Sequence, residues 1–280
     1  MDGFFLINKP VGWTSFDTCA YIRKKFGIKR VGHTGTLDPF ANGLMIIAVN
    51  KATKLIPFLE NEDKKYIATL TLGSDTDTLD CTGKIINEKE IAPFSQNQVK
   101  ECFNKFVGEN EQIPPMYSAL KSNGIPLYAL AREGVDIKRK PRKIHIYEME
   151  LLSLNEKEIT FYSHVSKGTY IRVLANDIAH SLSNCGYLSS LQRISIGKQN
   201  IDKAKDIKSI EERDLIPIAD FLSFIKVIEI EDDNLLKRVK NGNEIIFEGE
   251  DIILFVDMEH NPLAIYTRIE GNIYRCKRGL

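Results

Sequence analysis

The sequence predicts an α+β fold, and three observations support this prediction. Residues 66–73 alternate apolar and polar side chains, which is typical of a half-buried strand. Residues 144–154 and 158–166 alternate in the same way and predict a pair of strands joined by a short turn. Residues 95–107 instead repeat their apolar side chains at helical spacing. Strands and helices are therefore both expected around one core.

The helix predicted over residues 95–107 carries signals at both ends. Ser95 and Gln98 have the spacing of a capping box at its start. Gly108 follows its last apolar residue and is a typical helix terminator. The side chains expected to face the core are Val99, Cys102, Phe103, Phe106 and Val107.

The N-terminal region predicts a strand, a helix and a second strand. Residues 3–7 are apolar and form a short buried strand, and residues 44–49 form another. Between them, Thr14 or Ser15 can cap a helix that ends at Gly27. The side chains expected on or near the apolar face of this helix are Phe16, Cys19, Ala20 and Ile22.

A further helix is predicted after Tyr170, with Gly186 closing it. Arg172 would lie in its first turn, where the helix dipole disfavours a cation unless an anion is near. Two alternatives remain open at this point. Arg172 either has a carboxylate or phosphate partner or lies on the helix surface facing water. The apolar face of this helix would consist of Ile171, Leu174, Ile178 and Leu182.

The character of the sequence changes after about residue 200. Residues 203–213 are charged and only weakly periodic, which indicates a linker or a surface helix. From residue 228 onward, short apolar runs lie between glycines and predict a small β-rich unit. We therefore expect a main domain over residues 1–225 and a second domain over residues 226–280.

Composition restricts the class of protein. The chain of 280 residues is 43% hydrophobic and 27% charged, which is typical of a globular protein. No apolar run reaches the roughly 18 residues of a membrane helix, and no positively charged leader precedes the first strand. Five cysteines stand singly, which favours reduced thiols in the cytoplasm over disulfides or a zinc site. We expect no metal, and a monomer, since no long apolar stripe is left uncovered.

Charge is unevenly distributed, although the formal net charge is zero. Residues 138–143 read Lys-Arg-Lys-Pro-Arg-Lys, and residues 23–25 and 29–30 are also basic. Such runs either neutralise phosphates of a nucleic acid or form ordinary solvated surface. Residues 74–80 contain three acids but lack the glycine and terminal glutamate of a calcium loop. We therefore expect a solvated loop there.

The stretch from Gly32 to Gly43 is the most unusual in the chain. Its glycines and Pro39 exclude a regular helix or a central strand, so it is a loop held between structured elements. Functional groups are often displayed on such loops. It contains one carboxylate, Asp38, which on spacing alone either caps a turn or carries chemistry.

Six segments together resemble the TruB family of tRNA pseudouridine synthases, in the order in which that family has them. The similarity covers roughly residues 3–200. The segments are Asn8–Ser15, Gly32–Pro39 with Ala41 and Gly43, Lys65–Tyr66, Pro114–Lys121 with Gly124, Tyr128, Ala131, Arg132 and Gly134, Gly168–Arg172, and Leu191–Gly197. Gln192 stands where the family usually has an arginine.

The resemblance implies a mixed, mostly antiparallel sheet with flanking helices and a C-terminal PUA-like domain. It also implies an essential aspartate, which falls on Asp38, and a tyrosine and arginine partner, which fall on Tyr66 and Arg172. The substrate-binding residues that it implies are His33, Tyr170 and Leu191, together with Lys9, Gly35 and Thr36 from the matching segments.

The implied reaction converts uridine to pseudouridine at position 55, in the TΨC loop of tRNA. The target base must leave the stack before any side chain can reach its sugar bond. The reaction involves no redox change, so we expect no cofactor. An RNA-binding or tRNA-folding module is the alternative, but it gives Asp38 no role. A P-loop enzyme is disfavoured because Gly32–Gly35 lacks the following Lys-Ser/Thr.

Overall fold

Twenty strands and seven helices make up the computed structural model, which describes all 280 residues. The strands are β1 Gly3–Lys9, β2 Val31–His33, β3 Asn42–Val49, β4 Lys64–Leu72, β5 Ser74–Thr76, β6 Ile85–Glu88, β7 Gly108–Gln112, β8 Lys121–Ser122, β9 Ile125–Pro126, β10 Arg142–Leu154, β11 Glu158–Val165, β12 Gly186–Ile196, β13 Gln199–Asn200, β14 Lys205–Asp206, β15 Ile216–Pro217, β16 Lys226–Glu229, β17 Ile245–Ile246, β18 Ile252–Val256, β19 Pro262–Glu270 and β20 Ile273–Gly279. The helices are α1 Ser15–Phe26, α2 Ile56–Leu59, α3 Gln96–Phe106, α4 Leu127–Arg132, α5 Ile171–Ser181, α6 Ile218–Phe221 and α7 Asp233–Lys240.

The main sheet has the strand order β14-β1-β3-β12-β4-β11-β10-β7. Within this order the pairs β1–β14 and β3–β12 are parallel, and the other neighbours are antiparallel. The α+β class and the mixed, mostly antiparallel sheet are therefore confirmed. The predicted strand pair is confirmed too, since β10 and β11 are antiparallel neighbours.

The largest hydrophobic core lies between one face of this sheet and helices α1, α3 and α5. Helix α3 contributes Val99, Cys102 and Phe103, three of the side chains that the sequence assigned to the core. Both predicted N-terminal caps are present as capping boxes, formed by Thr14 with Asp17 and by Ser95 with Gln98. Each box satisfies backbone N–H groups that a free helix end would leave unpaired.

A second, five-stranded sheet has the order β16-β18-β19-β20-β17, which fits the predicted β-rich C-terminal unit. It packs on the main sheet through a shared cluster, in which Leu254 and Val256 of β18 meet Phe4 and Leu6 of β1. The second sheet starts at Lys226, but the division into two domains at that point stays a prediction. None of the helices combines the length and the apolar composition that a bilayer crossing requires.

Three predictions about helices were wrong. Val107 does not face the core, because it follows the last residue of α3 in an extended conformation and is 44% exposed. Phe16 does not face the core, because it lies in the first turn of α1 on the solvent side and is 68% exposed. Gly186 does not end the helix that follows Tyr170. That helix stops at Ser181, and Gly186 begins β12, a central strand that the sequence analysis had not identified.

Two charged segments were also misinterpreted. Residues 203–213 are neither a linker nor a surface α-helix, because β14 pairs with β1 and the side chains of Ile207 and Ile210 are fully buried. Residues 74–80 are not a solvated loop, since Asp75 and Asp80 are both buried. In each case the contacts come from residues distant in sequence, which local polarity does not reveal.

The shared cluster predicts that the two sheets stabilise each other. We expect Leu254→Ala to lower the free energy of unfolding by about 2–5 kcal/mol, because it removes a fully buried side chain from the cluster. Ile252 of the same strand is 45% exposed, so Ile252→Ala is the matched control. Urea unfolding of both variants tests this, and equal losses would contradict it.

Candidate active site

A cavity of about 500 Å³ opens beside the Gly32–Gly43 loop. Strands β4 and β12 form its floor, and the beginning of α5 and the segment before β8 close its sides. The residues that line it are Thr34, Gly35, Thr36, Leu37, Asp38, Glu60, Lys64, Tyr66, Ser118, Ala119, Leu120, Gly168, Thr169, Tyr170, Ile171, Arg172, Leu191 and Arg193.

Asp38 and Arg172 form a two-pronged ion pair in this cavity. Nε of Arg172 donates to Oδ2 of Asp38 at 2.9 Å, and Nη2 donates to Oδ1 at 3.2 Å. The Arg172 side chain is only 4% exposed, whereas 30% of the Asp38 side chain remains accessible from the cavity. The alternative in which Arg172 faces water is therefore wrong. The Asp38 carboxylate accepts no backbone N–H, whereas a residue that caps a turn would accept one.

The remaining donors of Arg172 are fixed by other elements. Nη1 donates to the carbonyl of Thr78 at 2.7 Å and lies 3.4 Å from Oδ2 of the buried Asp80. Nη2 also donates to the carbonyl of Tyr117 at 2.7 Å. Because every edge of the guanidinium is held, its orientation toward Asp38 is fixed before any substrate binds.

Two opposing effects act on the Asp38 carboxyl. Burial raises the pKa of Asp38 above its ordinary value, and the charge of Arg172 counteracts this rise. Asp80 acts in the same direction as burial, because a second negative charge disfavours ionisation. The ionisation of Asp38 therefore depends on the balance between burial and Asp80, which raise its pKa, and Arg172 and Lys9, which lower it.

Aromatic and apolar side chains form the walls around the carboxylate. Tyr66 of β4 is 7% exposed, and burial raises the pKa of its hydroxyl, with Arg193 opposing the shift. Leu191 of β12 is 4% exposed and lines the same cavity. Tyr170 precedes α5. Its backbone N–H donates to the side-chain oxygen of Gln112, and the side-chain nitrogen of Gln112 donates to its carbonyl.

Arg193 holds the loop that carries Asp38. It is only 1% exposed, and its three nitrogens donate to the carbonyls of Leu44, Thr36 and Gly35 at 2.8–3.1 Å. Gly43 lies against its backbone with φ +118°, and a Cβ there would come within 2.4 Å of the Arg193 carbonyl oxygen. Only glycine permits this close approach.

The sequence comparisons agree with this geometry. Residues 23–171 match the family model described as TruB family pseudouridylate synthase, N-terminal domain. The chain belongs to the TruB family. The resemblance found in the sequence is thereby confirmed, and the protein is an enzyme of the pseudouridine synthase class.

Curated relatives extend the similarity over the whole TruB chain. The tRNA pseudouridine synthase B of Acholeplasma laidlawii is 45% identical over 242 residues, covering 86% of each chain. The protein of the same name from Mesoplasma florum is 39% identical and covers 99% of this chain and 97% of its own. Among solved structures, a Cbf5–Nop10–Gar1 complex matches with a TM-score of 0.71 over 99% of this chain and 84% of the other. At 20% identity this last likeness shows the fold alone.

Two of the predicted substrate-binding residues of this TruB chain do not line the cavity. Lys9 is fully buried, and its amine donates to the carbonyls of Pro10 and Trp13 at 3.0 and 2.6 Å, with that of Pro39 at 3.5 Å. Its amine therefore ties the Asp38 loop to the loop after β1, and the expected substrate contact by Lys9 stays a prediction.

His33 lies on β2 outside the cavity lining. Its Nδ1 accepts the N–H of Gly35 at 3.3 Å, and burial lowers the pKa of its ring. A neutral ring can accept this hydrogen bond, so His33 shapes the glycine-rich loop. Its predicted contact with RNA stays a prediction. Gly35 and Thr36 do line the cavity, but their carbonyls are occupied by Arg193.

Three residues of the site were missed by the sequence analysis. Asp80 was assigned to a solvated loop, although it lies beside Arg172. Lys64 directly precedes Lys65–Tyr66, one of the segments that match the TruB family. Its amine donates to the carbonyl of Glu60 at 3.1 Å. Burial lowers its pKa to about 8. Arg193 stood inside a matching segment, but no local signal distinguishes a buried arginine from an exposed one.

The buried amine of Lys9 gives a pH-dependent prediction. Burial lowers its pKa from 10.5 to about 8, so the folded protein binds fewer protons than the unfolded chain between these pH values. The contribution of Lys9 to the free energy of unfolding therefore rises with pH across this window. We expect Lys9→Met to cost about 1–3 kcal/mol more at pH 10 than at pH 7.

Urea unfolding at both pH values measures this cost. Lys157→Met is the control, because Lys157 is exposed in the β10–β11 turn and its side chain forms no ion pair. A cost of Lys9→Met that stays constant or shrinks between pH 7 and pH 10 would contradict the prediction.

Proposed function

We propose that this protein converts uridine 55 to pseudouridine in the TΨC loop of tRNA. The observation that carries the proposal is the Asp38 carboxylate, which faces the cavity and is held by the buried Arg172 in a chain of the TruB family. The tRNA substrate follows the names of the relatives, which are tRNA pseudouridine synthases B. The assignment to the TΨC loop follows the resemblance of the sequence motifs.

The size and lining of the cavity support a flipped nucleotide as the bound group. Its volume of about 500 Å³ lies in the range of small-molecule sites, and a base inside a helix could not reach Asp38. Tyr66 offers a flat face for the uracil, and Leu191 offers an apolar contact. Because Asp38 lines the same cavity, a base bound there would displace water from the carboxylate.

The proposed reaction rearranges bonds within one nucleotide. The N1–C1′ bond breaks, a C5–C1′ bond forms, the proton on C5 is lost, and N1 gains a proton. No electrons are gained or lost, so the balance needs no redox cofactor. Asp38 would begin this sequence by attacking the sugar, attacking the base or removing a sugar proton, and the three routes remain open.

Arg172 and Tyr66 have distinct places in this scheme. Arg172 favours the ionised form of Asp38 and fixes its direction through two hydrogen bonds. The Tyr66 hydroxyl is proposed to assist the loss of the C5 proton. A monomeric state and a cytoplasmic location remain predictions from the sequence.

The first test of this function is Asp38→Asn. The amide is nearly the same size but carries no charge, so we expect pseudouridine formation to fall by at least about a thousandfold. Pseudouridine-specific chemical mapping of an unmodified tRNA transcript measures both the rate and the position. Asp233→Asn, at the exposed start of α7, is the matched control and should retain wild-type activity.

Three outcomes would be informative. A single signal in the T loop that Asp38→Asn abolishes is the expected result. An unchanged rate in Asp38→Asn would refute the catalytic role. Tight binding of tRNA without any new signal in the wild-type protein would instead favour the tRNA-folding module.

The neighbours of Asp38 predict opposite shifts in the acid limb of the pH–rate profile. Arg172 lowers the pKa of Asp38, so Arg172→Gln should move the limb to higher pH, by about one unit or more. Asp80 raises that pKa, so Asp80→Asn should move the limb to lower pH. Single-turnover rates between pH 4 and pH 8 measure both shifts, after thermal unfolding has shown that each variant folds. Shifts of the same sign would contradict this prediction.

A further inference from the structure

Lys64 is a buried cation beside the active-site cavity. It is the first residue of β4, it lines the cavity, and it is only 8% exposed. Its amine forms no ion pair with a carboxylate. Burying a charge is costly unless the charge is paired, so the folded chain carries a cost here that a bound anion would reduce.

Two of the three N–H groups of the Lys64 amine are used inside the chain. They donate to the backbone carbonyls of Glu60 and Glu62, in the segment that leads into β4. A lysine ammonium has three donors and no acceptor, so one N–H is left without a partner in the chain. Neutral carbonyls also compensate a full positive charge less well than an anion does. The amine therefore has one donor, and most of its charge, available for a further acceptor.

The neighbouring acids do not neutralise this charge. Burial and the charge of Arg193 lower the pKa of Lys64 to about 8, so the amine is still mostly protonated at neutral pH. The acids among residues 60–63 oppose this shift, but none of their carboxylates pairs with the amine. Asp63 is instead paired with His164. The cavity therefore retains a positive charge at Lys64.

A second buried cation lies close to Lys64. Arg193 is also without a carboxylate partner, and its three hydrogen bonds go to backbone carbonyls. Gly35 adjoins both cations, because a Cβ placed on it would lie 3.7 Å from Nη1 of Arg193 and 3.9 Å from Cε of Lys64. Gly35 lines the cavity and has no side chain, so the surface next to the two cations is left open.

The other charges that meet at the cavity leave this excess in place. Arg172 is matched by Asp38 and by Asp80, which both lie within ion-pair distance of its guanidinium. Lys64 and Arg193 have no such partners. Charges interact more strongly in a partly buried site than in water, since the effective dielectric constant there is lower. An anionic group that enters the cavity is therefore attracted to the Lys64 side of it.

The position of the amine suits a phosphate at the cavity entrance. Glu60 lines the cavity but is itself exposed, and its carbonyl accepts the Lys64 amine at 3.1 Å. The amine therefore lies close to the point where the cavity opens to solvent. A nucleotide that flips out of the stack rotates about its backbone, so its base enters the pocket while its two flanking phosphates stay near the entrance. Lysine is a compact point charge, which suits contact with a single phosphate oxygen.

We propose that the Lys64 amine binds one of the two phosphates that flank the target uridine once that nucleotide has left the stack. The inference rests on the proposed function and extends it from the reacting base to the backbone on either side of it. This contact can form only with the nucleotide in the cavity, so it would stabilise the flipped state over the stacked one. The chemical step would remain with Asp38.

Three synthetic RNA stem-loops with the T-loop sequence test this contact. One is unmodified, and the others carry a neutral methylphosphonate in place of the phosphate on the 5′ or the 3′ side of the target uridine. We expect one of the two neutral RNAs to bind the wild-type protein about tenfold or more weakly than the unmodified RNA, because a charge-assisted hydrogen bond is lost. Equal binding of all three RNAs would overturn the proposal without the need for any variant.

The variant Lys64→Met identifies the protein group that the phosphate contacts. It should bind the unmodified RNA about tenfold or more weakly than the wild type, and the decisive methylphosphonate should then weaken binding by no more than about twofold. Lys64→Arg keeps the charge and should restore part of the methylphosphonate effect. A purely structural role of Lys64 would instead weaken the binding of all three RNAs by the same factor, which would refute the contact.

Lys65→Met is the matched control. Lys65 is the next residue of β4, so its side chain points to the opposite face of the sheet, and it does not line the cavity. This variant loses the same charge and should keep the wild-type affinity and the full methylphosphonate effect. Thermal unfolding verifies that the variants fold. If Lys65→Met removed the methylphosphonate effect as completely as Lys64→Met, the assignment to Lys64 would be wrong.

The salt dependence of binding gives a second measure of the same contact. One phosphate contact contributes about 0.7–0.9 to the slope of log K against log salt. Lys64→Met should lose about that much slope with the unmodified RNA, and no further slope with the decisive methylphosphonate. An unchanged slope in Lys64→Met would contradict the proposal.

Pseudouridine mapping of the unmodified stem-loop separates this inference from the proposed function. Pseudouridine formation by the wild type, with a methylphosphonate effect that persists fully in Lys64→Met, would refute the contact and leave the function standing. A methylphosphonate effect that depends on Lys64, without any pseudouridine, would support the contact and refute the function.

Discussion

The ion pair between Asp38 and Arg172 is the constraint around which the cavity is built. A buried guanidinium needs partners for all of its donors, and those of Arg172 are found on three separate parts of the chain outside its own helix. The Asp38 loop, the turn after β5, the segment before β8 and the first turn of α5 are therefore fixed relative to one another. The hydrogen bonds that orient the Asp38 carboxylate therefore also hold these elements together.

A second arginine performs the corresponding task for the backbone. Arg193 donates to three carbonyls in and beside the glycine-rich loop, and the amine of Lys9 donates to the carbonyl of Pro39 in the same loop and to those of Pro10 and Trp13. Glycines let this loop approach β12 closely, and the buried side chains of Leu37, Phe40 and Ala41 anchor it in the main core. The buried cations fix its backbone carbonyls in addition, which explains why a loop so rich in glycine can hold a carboxylate in one place.

The parts of the fold that local sequence determines were predictable. The capping boxes at Thr14 and Ser95 and the alternation along β10 and β11 depend on neighbouring residues only. Asp80 and Arg193 were not predictable in this way, because their burial depends on partners more than 90 residues distant. Asp38 and Arg172 were identified by motif resemblance, whereas their pairing distance required the structure. The prediction that Asp80 lies in a solvated loop was based on the polarity of its neighbours. Local polarity does not distinguish a buried acid from a solvated one.

Charge in this protein is informative only when it is placed on the fold. The net charge of zero argues weakly against a nucleic-acid partner, yet it is the sum of basic runs, such as residues 23–25 and 29–30, and of acids located elsewhere. Electrostatic attraction to phosphates decays within about 10 Å at ordinary ionic strength. A charge at the surface of α1 is therefore affected by the cations of its last turn far more than by distant acids. Arg172 adds little to this surface potential, because it is buried and paired with Asp38 inside the cavity. The surface potential and the orientation of the Asp38 carboxylate are thus set by different cations of one chain.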